Sequence, residues 1–347
     1  MTRATRPAAP ERAVDDARAA DPDARARRLV AVVVTYNRLD QLKVTVGRLL
    51  DAGPGVLDAL LVVDNASDDG TADWLAGQGD PRLAVLRHAR NLGGAGGFET
   101  GMRHAVAHLA PDWLLLMDDD GRPEPGALEA FHAARPERWD AIAAAVYYPD
   151  GTICEMNRPS VNPFRTARSV LRAVLGGRDG FHIGPACYDA PPRDVDVASF
   201  VGLFVSRRAV ERVGYPDGAL FVYGEDGLYT LGLSAAGGRI GFVPAIRFEH
   251  DCRTFAAEPG RFAPPWKSYY YHRNLLFLYR RAAGPLFWPA LALVLPKWLL
   301  KVRRQRGARW TYLRLLGSAV AHGLTGHTGT PHEAILSRAR GGRISGS

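Results

Sequence analysis

One stretch constrains this chain more than any other: Trp113-Leu114-Leu115-Leu116-Met117 runs directly into Asp118-Asp119-Asp120-Gly121. An uninterrupted apolar run of this kind reads as a strand buried on both faces. Adjacent carboxylates at its end repel one another and are costly near a core unless a cation offsets them. Hard oxygen donors suit a divalent ion such as Mg²⁺ or Mn²⁺, which can carry a diphosphate. A solvated acidic turn is the plain alternative, and the triplet alone does not decide between them.

The residues before it narrow the choice. Leu29 to Thr35 is a β-branched run, and Leu42, Val46, Leu49 and Leu50 give residues 39–50 a helical period. Ala59 to Val63 predicts a second strand, ending in Asp64-Asn65-Ala66-Ser67-Asp68-Asp69-Gly70-Thr71; Leu83 to Leu86 predicts a third. Asn91-Leu92-Gly93-Gly94-Ala95-Gly96-Gly97-Phe98 then opens a helix expected over residues 99–109. Strands alternating with helices predict βαβ units in a parallel sheet, with ligands bound beyond the carboxyl ends of the strands. Thr35, Asp64, Asn65, the glycine stretch and Asp118 to Asp120 should therefore share one crevice.

Each piece has a chemical reading. Asp64 can accept the N3–H of a pyrimidine while Tyr36, Asn37 and Arg38 flank the base; an Asx turn is the other use of such a residue. The glycines let backbone approach a ligand, and N–H groups at a helix N-terminus meet anions. They match neither GxGxxG with a distant acid nor a Gly-Lys-Ser/Thr phosphate loop. Further on, Ala143 to Tyr148 and Ser199 to Ser206 read as strands, with a helix from about Arg208. Phe221-Val222-Tyr223 reads as an aromatic strand leading through Gly224 into Glu225-Asp226 and a helix. Such acids suit a general base, or simply favour the helix N-terminus. Two short strands, Ile240 to Val243 and Ile246 to His250, follow.

Composition sets the outer bounds. The 347 residues are 47% hydrophobic and 23% charged, enough for one large or two smaller globular domains. A formal net charge of +8 calls for an anionic partner: nucleic acid, an acidic membrane surface or a phosphorylated substrate. Lys297, Lys301, Arg303, Arg304, Arg306, Arg309 and Arg314 concentrate that charge. Cys154, Cys187 and Cys252 lack CxxC spacing, so neither a disulfide framework nor a zinc site is expected, and a reducing cytoplasm is the default. Residues 1–28 lack the apolar core of a signal peptide and read as a disordered leader. No uninterrupted apolar stretch reaches the ~18 residues of a membrane span. Pro285 to Leu300, broken by Pro289, Pro296 and Lys297, reads as a peripheral patch on an anionic membrane or as a core helix with a basic face. Residues 326–347 read as a flexible tail.

Taken together, Val33-Val34-Thr35-Tyr36-Asn37-Arg38, Val62-Val63-Asp64-Asn65 with its acidic turn, Asp118-Asp119-Asp120 and Glu225-Asp226 resemble the inverting glycosyltransferases of family 2. The resemblance covers about residues 29–255. Its glycine stretch and acid triplet are similar to galactofuranosyltransferases of actinobacterial cell-wall galactan, with rhamnosyltransferases of lipid-linked glycans as near relatives. It implies a GT-A fold, a Rossmann-like, mostly parallel α/β sheet flanked by helices. A helical, basic extension over 256–325 completes the expected architecture. It further implies that Thr35, Asn37, Arg38, Asp64 and Asn65 hold the nucleoside, and that Asn91, Gly93 and Gly94 lie along the diphosphate or sugar. Asp118 and Asp120 match the metal-binding pair, with His250 completing the Mn²⁺ or Mg²⁺ site and Asp119 near the ribose or sugar. Asp226 matches the catalytic base, an ordinary carboxylate at neutral pH, with Glu225 beside it. Tyr223, Trp266, Lys267 and Arg273 fall where such relatives place the acceptor. After Glu225-Asp226 the chain departs from them, lacking their usual acid and arginine.

The resulting expectation is metal-dependent transfer of a sugar, galactofuranose from UDP-galactofuranose first and rhamnose from its dTDP donor second. The acceptor would be lipid-linked or a cell-wall polysaccharide at the inner membrane face, and nucleic acid would not be a partner. An inactive binding module and a nucleotidyltransferase are the alternatives. The first has no need of the acids, the glycines and His250 together. The second would want a basic glycine loop after the first strand, where Thr35-Tyr36-Asn37-Arg38 stands.

Overall fold

The computed structural model describes residues 27–252 and 260–340; the expected leader falls almost wholly outside them. In chain order, β1 (Leu29–Thr35), α1 (Leu39–Leu50), β2 (Ala59–Asp64), α2 (Thr71–Ala76), β3 (Leu83–Arg87), α3 (Gly93–His108) and β4 (Trp113–Asp118) form the first half. Then come β5 (Gly121–Pro123), α4 (Ala127–Ala133), β6 (Ala141–Tyr147), α5 (Ala167–Gly176), β7 (Arg193–Val195), β8 (Leu203–Ser206), α6 (Arg207–Val213), α7 (Glu225–Ala235) and β9 (Ile240–His250). Four helices close the chain: α8 (Lys267–Ala283), α9 (Phe287–Leu300), α10 (Arg309–Thr325) and α11 (His332–Arg340).

The strands form one sheet in the order β3-β2-β1-β4-β8-β6-β9-β5, with β7 also on β9. Pairing among β1 to β4 is parallel, and β8 enters antiparallel beside β4. Every residue of β1 and β2 is buried, which is why both read as continuous apolar runs. Alternate residues serve opposite layers. Val30, Val32 and Val34 face Phe98, Met102 and Ala105 of α3. Leu29, Ala31 and Val33 face Leu42, Val46 and Leu49 of α1 and Phe131 of α4. Burying each such side chain contributes roughly 1.5–3 kcal/mol, so either layer is a large share of the driving force.

Several expected elements differ. The helix expected from residue 99 begins at Gly93, so the glycines are its first two turns rather than a loop. Packing explains them: a Cβ on Gly97 would stand 2.5 Å from Val34 Cγ1, and one on Gly101 would stand 2.7 Å from both Val32 Cγ1 and Val63 Cγ2. Phe221 to Tyr223 is not a strand, because Phe221 and Tyr223 both take φ of 68° and reverse the chain. The two short strands expected before His250 are one strand, β9, whose pairing with β6 slips between Ala144 and Ala145. Pro244 stands in that strand near the slip, where a ladder donor is not required. Strand β8 is shorter than expected, beginning only at Leu203; Gly202, at φ 70°, turns the chain there while still bonding to Leu116 and Ala144.

The C-terminal helices build their own core. Leu276, Phe287, Leu291, Trp298, Tyr312 and Leu316 form one cluster, and Tyr269, Tyr270, Leu315, Ala319 and Ile335 form a second that touches Phe221 and Trp266. The tail expected to be flexible is thus in part a packed helix, α11, anchored by Ile335. The stretch Lys267–Arg304 is long and apolar enough to cross a membrane by length and composition, with 22% of its apolar window buried. It is not one rod: Gly284, at φ 50°, ends α8, and α9 folds back so that the Trp298 and His272 rings lie 4.8 Å apart.

The close approach of α3 to the sheet gives a direct test. Gly101→Val should destabilise the protein by about 1–3 kcal/mol through overpacking. Gly47→Val on exposed α1 surface, where a Cβ meets nothing within 4 Å, should cost under about 1 kcal/mol. Urea unfolding monitored by circular dichroism measures both.

Candidate active site

Strand register assembles the crevice. Thr35 stands opposite Asp64, Val34 opposite Asp118, and Asp64 opposite Arg87, so the carboxyl ends of β1, β2, β3 and β4 lie in one row. Asp64 is fully buried. Its Oδ1 accepts from the Ser67 backbone N–H at 2.9 Å, the Asx turn that its position allowed. Its Oδ2 accepts no hydrogen bond and lies 3.3 Å from Arg87 Nε. One oxygen thus holds the turn while the other remains an acceptor, which reconciles both readings of Asp64. Asn37, at φ 53°, accepts from the Asp68 N–H and fixes the same turn. Asn65 donates to the Gly93 carbonyl at 3.0 Å and meets His88 Nδ1 at 2.8 Å, which makes it a brace between strand and helix.

The acid triplet is held by two cations. Arg38 Nη1 lies 3.2 Å from Asp119 Oδ1 and also pairs with Asp120 Oδ2. His250 Nε2 lies 3.2 Å from Asp120 Oδ1. This second contact comes from topology: β5 folds back antiparallel on β9, putting Gly121 opposite His250. Thr35 Oγ1 donates to Asp119 Oδ2 at 2.7 Å. Burial, reinforced by Asp120 and Asp119, pushes the Asp118 carboxyl up to about 7. Burial and Asp120 push Asp119 up to about 6 despite Thr35 and Arg38. Burial acts on Asp120 as well, but His250 and Arg38 outweigh it and hold that carboxyl below its usual range. Burial opposes charging of His250, yet Asp120 and Cys252 raise it to about 10. The cluster therefore carries more negative charge than its own cations cancel.

A divalent ion fits this donor set in chemistry. Asp120 and His250 already touch, and His250 Nδ1 lies 2.7 Å from Asn157 Oδ1, the outer contact that fixes a ligating imidazole. Asp118, also expected as a ligand, does not bring a third donor atom to that point in this arrangement. Among the described residues, the three ligand atoms that do gather are those of Cys154, His250 and Cys252, all within 4.8 Å of one another. That gathering corrects the expectation that the cysteines are scattered. Cys154 follows β6 and Cys252 follows β9, and the two strands are paired.

Across the crevice, Asn91 Oδ1 accepts from the Gly93 N–H at 2.7 Å and caps the start of α3. Gly93 has φ of 75°, and a Cβ there would fall 2.0 Å from the Phe221 carbonyl oxygen. Gly94 faces Glu225, whose Oε1 would stand 3.5 Å from its Cβ. The first turn of α3 thus abuts the turn that presents Glu225 and Asp226 at the start of α7. Burial, then Asp226 and Asp118, raises Glu225 well above the carboxylate range, and its Oε2 is buried without a hydrogen bond. Burial raises Asp226 to about 6, while its Oδ1 accepts from the Gly227 N–H at 2.6 Å. An ordinary carboxyl was expected at Asp226; the raised value leaves it largely ionised at neutral pH.

The residues expected on the acceptor side divide. Lys267 is near enough to Arg38 to be depressed by burial and by that charge. Trp266 packs against Phe221 and Tyr270, and Tyr223 against Tyr271. Arg273 is corrected: it is wholly buried, donates to the Leu220 carbonyl at 2.8 Å and faces no solvent. Beside it Asn274, which sequence reasoning did not single out, donates to the carbonyls of Leu220, Val222 and Tyr223. Arg273 and Asn274 thus clamp the reversed turn before Glu225. Asn157 and Thr45, whose Oγ1 donates to the Asp119 carbonyl at 2.6 Å, were also missed. Both act through partners distant in sequence.

A mixed sheet of this order, with carboxylates at the carboxyl ends of its parallel strands, defines a GT-A glycosyltransferase. The sequence profile described as "Glycosyl transferase family 2" matches residues 30–184. The chain is 31% identical over 303 residues to Galactofuranosyltransferase GlfT1 of Mycolicibacterium smegmatis, spanning 83% of this chain and 95% of that one. It is 32% identical over 177 residues to the polyprenol monophosphomannose synthase of the same organism, spanning 49% and 63%. The chain belongs to glycosyltransferase family 2. Among solved structures, GalNAc-T7 with UDP, GalNAc and Mn²⁺ superposes with a TM-score of 0.52 at 14% identity, covering 74% of this chain and about half, 48%, of that one. The mannosyltransferase PcManGT of Pyrobaculum calidifontis, in complex with GDP-Man and Mn²⁺, gives 0.50 at 18% identity over 89% and 78%. Both likenesses concern the fold.

The clamp on the α7 turn has a measurable consequence. Asn274→Ala removes the side-chain donor from the Val222 and Tyr223 carbonyls, while Leu220 keeps Arg273, at about 1–3 kcal/mol for the lost partner. Unfolding by urea should show that loss. Transfer activity should fall at least tenfold under conditions where the variant is still folded, because the turn carrying Glu225 and Asp226 is released.

Proposed function

We propose that this enzyme transfers galactofuranose from UDP-galactofuranose, with inversion, to a lipid-linked or cell-wall polysaccharide acceptor at the inner face of the membrane. The observation that carries the reading is the single row of Thr35, Asp64 and Asp118 to Asp120 facing Glu225 and Asp226 across the first turn of α3. The galactofuranosyltransferase relative, similar over most of both chains, supports the donor. Asp64 Oδ2, buried and without a hydrogen bond, is an acceptor for the uracil N3–H, with Asn37 and Asn65 shaping the wall around it. The diphosphate would lie along the start of α3 at Gly93 and Gly94, where helix N–H groups favour anions.

When bound, a divalent ion such as Mn²⁺ or Mg²⁺, held by Asp118, Asp120 and His250, would supply positive charge against the departing diphosphate. Arg38 lies against the same acids, and Asp119 is fixed by Thr35 beside the donor. Asp226 takes the proton of the acceptor hydroxyl, whose oxygen forms a bond to the anomeric carbon as the bond to the nucleoside diphosphate breaks. Attack from the face opposite the leaving group inverts that centre. Glu225, whose neutral form is favoured by burial, hydrogen-bonds the sugar or acceptor. Tyr223, Trp266 and Lys267 line the acceptor side. Trp288, Leu293, Leu299 and Leu300 are exposed on and beside α9, next to Lys297, Arg303 and Arg304, as a peripheral contact with an anionic membrane requires.

Two measurements test this. Asp226→Asn should abolish transfer, at least a hundredfold in kcat, while leaving UDP affinity within about threefold. Because burial raises Asp226 to about 6 and the base must be ionised, kcat should fall as pH drops below about 6 and level off above it. A profile flat to pH 5, or an Asp226→Asn variant that still turns over, removes this residue as the base. In titration calorimetry, Asp64→Ala should weaken UDP binding by ~1–3 kcal/mol, roughly 5- to 150-fold, for one lost buried hydrogen bond. A preference for dTDP would instead make rhamnose the donor sugar.

A further inference from the structure

Beside the donor crevice, His250 also meets two thiols, Cys154 and Cys252, that have no part in the chemistry above. Cys154 is fully buried, His250 nearly so, and Cys252 partly exposed where β9 ends. Their ligand atoms lie within 4.8 Å of one another, with Cys154 Sγ 3.8 Å from His250 Nδ1. A further donor stands at the same junction. Asn157 Oδ1 accepts from Cys154 Sγ at 2.9 Å and lies 2.7 Å from His250 Nδ1. Its amide is fixed by a 2.8 Å bond from Nδ2 to Ser199 Oγ. Two sulfurs and one imidazole nitrogen therefore gather at this junction, with the Asn157 amide oxygen beside Cys154 and His250 Nδ1. The carboxylate Asp120 occupies the Nε2 side.

Ligand softness separates the two sides. Carboxylates select Mg²⁺ and Mn²⁺, whereas thiolates select Zn²⁺ and its heavier relatives, commonly with four tetrahedral ligands. We propose that Cys154, Cys252 and His250 Nδ1, with Asn157 Oδ1 as fourth donor, form a second metal site for a thiophilic divalent ion such as Zn²⁺ or Cd²⁺. On binding, each thiol gives its proton to solvent and both sulfurs bind as thiolates. The Nδ1 proton leaves too, so the ring carries its remaining hydrogen on Nε2.

The experiment uses the full chain, reduced with a phosphine, in saturating Mg²⁺, and titrates Cd²⁺ while recording ultraviolet thiolate-to-metal charge transfer. The chain has three cysteines, so the assignment is complete with three variants. Expected are one ion per chain in the wild type and in Cys187→Ser, and loss of the band in Cys154→Ser and in Cys252→Ser. Asp120→Asn, which disables the oxygen side, should keep the band, so the sulfur site stands or falls apart from the proposed catalytic metal. Circular dichroism confirms that each variant is folded, and where Cys154→Ser is not, the partly exposed Cys252→Ser decides. No band at one equivalent overturns the proposal. So does a band that survives the Cys154→Ser/Cys252→Ser pair, or a thiol count showing the two sulfurs joined as a disulfide before any ion is added.

Discussion

The structure turns on an unbalanced buried charge. Asp118, Asp119 and Asp120 sit where a fully apolar strand leaves the core, and among the described residues Arg38 and His250 pair with them. Low dielectric strengthens both the repulsion among the acids and their attraction for these partners. The cost is met by topology. Arg38 comes from the end of β1, immediately before α1, and His250 from the last residue of β9 more than two hundred positions later. Neither could reach the triplet without the β1–β4 and β5–β9 pairings. The residual charge remains on Asp118 and Asp119, whose carboxyls rise towards neutrality. A site built this way holds its acids by strand pairing rather than by charge balance.

The second requirement is distance. Helix α3 must lie close enough to β1 and β2 for its first turn to meet the crevice, and glycine at 97 and 101 sets that spacing. The same helix start touches the Phe221 carbonyl, and the turn from Ala219 to Tyr223 is gripped from behind by Arg273 and Asn274. Two residues in left-handed backbone, Phe221 and Tyr223, hold that turn in a conformation non-glycine residues disfavour. The hydrogen bonds from α8 are what over-determine it. The C-terminal helices are therefore part of the machinery that aims Glu225 and Asp226.

Legibility in the sequence followed the range of the interactions. Strands β1, β2 and β4 were plain, since burial on both faces writes an unbroken apolar run, and their shared edge followed from the βαβ rule. Asp64, Asp118 to Asp120 and Glu225-Asp226 stand out in the sequence because each is a local pattern at an element's end. What failed was set at long range or by backbone sign. The glycines could be a loop or a helix until Val32, Val34 and Val63 stood against them. Phe221-Val222-Tyr223 has strand-like composition but left-handed φ. Arg273 looked like a surface cation because nothing in its own segment announces the carbonyls of Ala219 and Leu220. Cys154 and Cys252 carry no spacing signal, being joined only by the pairing of β6 with β9.

His250 is where these constraints meet. Its ring separates a carboxylate environment from a sulfur environment, and each face makes its own demand on the imidazole. Asp120 favours a proton on Nε2, and Asn157 Oδ1 favours one on Nδ1. With both satisfied the ring is a cation, the state that Asp120 stabilises when it raises this histidine to about 10. A ligand on either face must displace a proton from that face, and the ring then keeps its hydrogen on the other. The proposed oxygen-side ion and the proposed sulfur-side ion would both call on this one imidazole, because the pairings of β5 and β6 with β9 bring a single histidine to the border between Asp120 and the Cys154, Asn157 side.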